Sequence, residues 1–131
     1  MNIEEFRDLC LSLPGARDRM PFTAMKTADR DIMVFDVAGK WFCFVNILQH
    51  EYCCLKCDPA EGEALRESYE GVRPGYHMNK RHWISVCFDS DVPDGKIREL
   101  VRKAHSLAMA SLPRRLRDEI TAAAAGPQEP L

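Results

Sequence analysis

No run in this chain approaches the roughly 20 apolar residues that a membrane-spanning helix requires. Its opening residues, Met1 to Phe6, carry acids where a secretory leader carries bases. Together these absences predict a cytoplasmic protein with no membrane contact. Charge of one sign is also scarce: the net value is −2 over 131 residues, too little for a basic arm or a histone-like coat. A local basic patch stays open, because affinity for phosphate depends on the charges that reach it. The sequence has no glycine-rich phosphate loop, no Gly-x-Ser-x-Gly elbow and no His-Glu-x-x-His helix. It presents no residue set for catalysis, so a non-enzymatic protein without a cofactor is expected. No internal repeat and no linker interrupts it.

Hydrophobic residues make up 46% and charged residues 29%, enough apolar content for one core in a chain too short for two. One domain is expected over residues 1–120, with 121–131 a mobile tail because Ala122 to Leu131 offer little to bury. The six cysteines read as free thiols in a reducing compartment, most of them in apolar strand-like runs. Cys54 and Cys57 have C-x-x-C spacing, but on an extended strand they point to opposite faces. Sharing a tetrahedral ion would need a turn there. No second such pair exists, and no metal site is assigned. Cys57 would serve as a nucleophile only if His77 or His82 folded back over it.

Local signals give the order α-β-β-β-α-β-α. Asn2 with Glu5 resembles a capping box, and Ile3, Phe6, Leu9, Cys10 and Leu13 share one helical face before Pro14-Gly15. Strands are predicted at Ile32 to Val37 and Trp41 to Ile47, joined by the tight turn Ala38-Gly39-Lys40 as an antiparallel hairpin, and at Tyr52 to Cys57. Asp58-Pro59 opens a helix that Gly71 ends. A fourth strand, Trp83 to Phe88, precedes a helix striped by Ile97, Leu100, Val101, Ala104, Leu107 and Ala108. Pro113 interrupts that helix, and Leu116 and Ile120 mark further turns. His50 reads as a solvated loop residue, His105 as a helix-face residue at the surface or partly buried. The fold class is α+β, a mainly antiparallel sheet with helices packed on one face. Trp41 to Val45 is apolar at every position. Either this is a central strand shielded on its far side by loops, or a second copy covers that side in a homodimer through the sheet.

The segment Pro74 to Trp83 gathers Tyr76, His77, Asn79, Lys80, Arg81, His82 and Trp83 with no acid among them, and Arg73 precedes it. Bases seek phosphate and ring faces stack on nucleobases, the two ingredients of single-strand binding. Lys40 at the first hairpin turn and Lys56 on the third strand extend the patch. The competing reading leaves the charges merely solvated and packs Tyr76 and Trp83 into the core, and for Trp83 packing is preferred.

Several stretches then occur in a familiar order: Met1 to Phe6 with Leu11-Ser12-Leu13-Pro14-Gly15, Gly39-Lys40 before an aromatic strand, and Leu55-Lys56-Cys57-Asp58-Pro59. Pro74 to Lys80 with His82-Trp83, and Leu112-Pro113, complete the set. On these residues the chain resembles the MmcQ/YjbR family of small bacterial proteins, from residue 1 to about 117. The resemblance implies a compact fold grouped with secretion chaperones and compared with frataxin-like domains. It also implies DNA binding through two hairpin wings. Residues 23–31 are longer than the family's usual link, Ala104-His105 replaces a common Ser-Tyr pair, and Cys53-Cys54 adds thiols. The functional expectation is a DNA-binding protein that contacts nucleic acid through Arg73, Tyr76, His77, Asn79, Lys80, Arg81, His82, Lys40 and Lys56. The alternative is a protein-interaction or small-ligand-binding module on a secretion-chaperone-like fold.

Overall fold

In a computed structural model, which describes residues 1–75 and 78–125, six strands pair into one sheet. They are β1 (Ala16–Arg19), β2 (Ile32–Val37), β3 (Lys40–Asn46), β4 (Tyr52–Lys56), β5 (Val72–Pro74) and β6 (Trp83–Cys87). The spatial order is β1-β2-β3-β4-β6-β5, and every neighbouring pair is antiparallel. The helices are α1 (Ile3–Leu11), α2 (Pro59–Ser68), α3 (Asp94–Ala110) and α4 (Arg114–Ala125), and a 3-10 turn spans Ala28–Asp31. The architecture is α+β, as the sequence implies.

Local chemistry sets the element ends. The Asn2 side-chain oxygen accepts the Glu5 N–H at 2.8 Å, and Asp58 accepts the Glu61 N–H at 3.3 Å with Pro59 in the first helical position. Ala38 and Gly39 both take positive φ, 50° and 82°, the paired left-handed geometry whose twist suits a two-residue hairpin. Alternation then divides the strands between two faces. Phe35, Val37, Cys43, Val45, Cys53, Leu55, Ile84 and Val86 join Phe6 and Cys10 of α1 and Ile97, Leu100, Val101, Ala104 and Ala108 of α3 in the main core; Leu107 of the expected stripe is only half-buried. Phe6 is its centre, edge-on to Phe35 at 6.1 Å and to Phe88 at 5.2 Å. Among the described residues, α1, α2, α3 and α4 all pack on this face. Val34, Phe44, Cys54 and Trp83 form a second cluster on the opposite face.

The structure corrects the sequence-based expectations at several points. Two strands, β1 and β5, lie outside the expected order: the first is Ala-Arg-Asp-Arg and the second only three residues ending in proline. Both lie at sheet edges, where charge and proline keep an unpaired strand from recruiting another. His105 is buried at 6% exposure; its Nε2–H donates to the Pro14 carbonyl at 2.7 Å and its ring stands edge-on to Phe42. His50 is half-buried rather than solvated, stacked on Phe88 at 4.1 Å, with Nε2–H donating to the Met1 carbonyl. Of the expected tail, residues 121–125 are exposed and form the last turns of α4, which ends at Ala125. The rest of the expected tail, 126–131, lies outside the described residues, as do Tyr76 and His77.

Candidate nucleic-acid interface

Strand register decides which basic residues meet. Lys56 pairs with Trp83, and the His82 carbonyl accepts the Cys57 N–H at 2.8 Å. Cys43 pairs with Leu55, so β3 begins at the end of the sheet where β4 stops and β6 starts. Lys40, Lys56, Lys80, Arg81 and His82 are thereby gathered at one end. Arg73 sits further in, paired with Ser85 on β6. Lys40, Arg73, Asn79, Lys80, Arg81 and His82 are exposed and Lys56 is half-buried. Asn79 builds the turn: its side-chain oxygen accepts the Arg81 N–H at 2.9 Å and its carbonyl the His82 N–H at 3.1 Å. Among the described residues no ion pair engages Lys40, Lys56, Arg73, Lys80 or Arg81. Trp83, by contrast, is 7% exposed and tilted against Phe44 at 5.9 Å, so it serves packing rather than stacking on a ligand.

The helix-free face holds residues that sequence reasoning did not assign. Arg19 pairs with the buried Asp36 at 3.0 Å and lies 5.6 Å from the centre of the Trp41 ring. Phe22 from the loop after β1 stands edge-on to Trp41, and Trp41 to Phe44, at 6.2 and 6.5 Å. That loop and Met78 shield part of the far side of β3, one of the two arrangements its apolar run implied. Three adjoining cavities of about 170, 220 and 390 Å³ cross the face, the last lined by Tyr52, Arg73 and Ser85. The Arg17-Asp18-Arg19 alternation was the one available signal for β1 and hence for Arg19.

The thiols are quiet. Cys54 lies in the helix-free-face cluster and Cys57 in the main core, so the C-x-x-C pair points apart. Burial, then the charges of Glu61 and Asp58, pushes the Cys57 thiol up to about 11, which leaves it a poor nucleophile near neutrality. Burial first, then sulfur hydrogen bonds with Cys10 and Cys53, raises Cys43 as well. Among the described residues no helix is long and apolar enough to cross a membrane.

The chain is similar in sequence and fold to known proteins. The chain is 33% identical over 114 residues to the uncharacterized protein YjbR of Escherichia coli (strain K12), covering 86% of this chain and 92% of that one. It is 31% identical over 113 residues to the uncharacterized protein YbdF of Escherichia coli O157:H7, covering 86% and 88%. The crystal structure of Deinococcus radiodurans DR2400, described as a DUF419 domain, superposes with a TM-score of 0.81 at 28% identity, over 92% of this chain and 88% of that one. A Pseudomonas syringae crystal structure shares the fold at a TM-score of 0.68 and 24% identity, over 82% of this chain and 99% of that one. The YjbR family model matches residues 11–107, and with these relatives it establishes that the chain belongs to the YjbR family.

Proposed function

We propose that this protein binds nucleic acid, DNA foremost, without catalysing a reaction, at the end of the sheet where Lys40, Lys56, Lys80, Arg81 and His82 converge. One observation carries the reading: residues from β3, β4 and the β5–β6 connection meet there, and none of those lysines and arginines is in an ion pair among the described residues. Unpaired cations are free to displace counterions from phosphate, the main sequence-independent source of affinity for DNA. The stacking part of the expectation is narrower, because Trp83 is packed away and His82 is the exposed ring among the described residues of the segment. Binding is therefore dominated by phosphate, with Arg73 on β5 further in from the basic end.

The test is a titration with single- and double-stranded DNA at two salt concentrations, using wild type and Lys80→Ala/Arg81→Ala. The double variant should bind more weakly, with a salt slope reduced by roughly one for each phosphate it no longer neutralises. Unchanged affinity and slope would remove this loop from the interface.

A further inference from the structure

Strand register sets four residues in one line across the helix-free face. Phe44 pairs with Cys54, Cys54 with Ser85, and Ser85 with Arg73, and directly opposed residues of antiparallel strands share a face. Phe44 and Arg73 therefore stand three strand spacings apart, about 14 Å. The two residues between them are small, and the Cys54 Sγ and Ser85 Oγ bond to each other at 3.3 Å. The cavities on this face run together along the same line: those of about 170 and 220 Å³ share Ile32 and Phe44, and those of about 220 and 390 Å³ share Gln49 and Tyr52. Their two ends differ in chemistry. Phe22, Met25, Ile32, Trp41 and Phe44 make the β3 end almost wholly apolar, and its one ionisable lining residue, Asp29, offers an anion no partner. Arg73 lines the β5 end, exposed and in no ion pair among the described residues. Glu51 lines that end too and moderates its charge. The line continues from Phe44 through Val34 to Arg19, but Arg19 is held by Asp36 at 3.0 Å, so the uncompensated arginine is Arg73. An apolar seat joined by a groove to one cation at a fixed distance selects a ligand with a long apolar body and a terminal anion.

We propose that this face binds an unbranched fatty acid, its chain lying along the cross-strand line with the tail beside Trp41 and Phe44 and the carboxylate against Arg73. The site does not depend on the DNA-binding reading, and Lys80→Ala/Arg81→Ala should leave it intact. Dodecanoate, whose extended chain suits the span, and its neutral counterpart dodecanol are titrated against the full chain by tryptophan fluorescence and calorimetry, below the concentrations at which either self-associates. In Arg73→Gln the affinity for the acid relative to the alcohol should fall roughly fivefold, the worth of one exposed arginine–carboxylate contact. Met25, 41% exposed at the apolar end, gives a second variant that spares the core: Met25→Asp should weaken acid and alcohol alike by placing a charge beside the tail. No binding of dodecanoate by wild type, an unchanged ratio in Arg73→Gln, undiminished binding in Met25→Asp, or loss of dodecanoate binding in Lys80→Ala/Arg81→Ala overturns the assignment.

Discussion

Gly75 is where the fold and the basic segment are fastened together, and Gly75→Ala should break the fastening. The Gly75 N–H donates to the Trp83 carbonyl at 3.0 Å, closing the β5–β6 pair just before the basic loop departs. A methyl group at Gly75 would stand 2.6 Å from the Trp83 Cβ, 2.8 Å from its carbonyl oxygen and 2.9 Å from its carbonyl carbon. Two of those atoms are backbone, and no side-chain rotation moves any of the three. Relief requires β5 to part from β6. Overpacking of this kind costs about 1–3 kcal/mol and a weakened backbone hydrogen bond about 1 more, for a total of about 2–4 kcal/mol. Urea unfolding followed through the fluorescence of Trp41 and Trp83 measures it, and the melting temperature should fall by about 10 °C. Gly95→Ala is the control. That position, in the first turn of α3, has nothing within 4 Å of an added methyl, so alanine should stabilise by up to about 1 kcal/mol. A loss below about 0.5 kcal/mol in Gly75→Ala would refute the close-approach argument.

Two further predictions concern titration and thiol access. The backbone N–H groups of Gly71 and Glu70, both 2.8 Å from the Asp91 carboxylate, hold its pKa below the ordinary 3.8. The unfolded carboxyl takes its proton first, so this contribution is complete above about pH 4 and is lost as pH falls through the lower folded value. Asp91→Asn should therefore unfold with a shallower acid dependence below about pH 4, and identical slopes for the two proteins would contradict the assignment. Five of the six cysteines are buried and Cys87 alone is partly exposed. A thiol reagent should label one site quickly on native protein and none in Cys87→Ser; a second fast thiol would show that the core opens more readily than its packing implies.

What is legible in the sequence is what neighbouring residues decide among themselves. Asn2 and Asp58 announce α1 and α2 because a cap needs only its own first turn. The Ala38-Gly39 turn fixes its hairpin for the same reason. The edge strands escape such reading because Ala16–Arg19 has no apolar alternation to show; its side chains face charges on the next strand and on α1, as with Arg7 and Asp18 at 2.8 Å. The depth of His105 is hidden because its burial depends on the Pro14 carbonyl, 91 residues away along the chain, taking its N–H. For the candidate site, composition exposes the basic loop. Lys40 and Lys56 extend it in the sequence reading, and the strand register that sets them at one end of the sheet is what composition does not encode.

The ring set on the helix-free face traces to one irregularity. In the β2–β3 register Phe35 faces Cys43 while Asp36 faces Trp41, so Phe42 is an extra residue without a partner. Strict alternation would send Trp41 to the same side as Cys43 and Val45, into the helix-covered core. The bulge breaks that parity. Phe42 and Cys43 both reach the core, Phe42 against His105 at 5.3 Å, and Trp41 turns outward with Phe44. Outward, it meets Phe22, lies near the guanidinium of Arg19, and walls the cavity of about 170 Å³. The unbroken apolar run Trp41 to Val45 is thus accounted for: two faces draw on it, and the bulge assigns each residue to one of them. Without the bulge, Arg19 and Asp36 would still pair, but Phe22 and Phe44 would lose the ring between them.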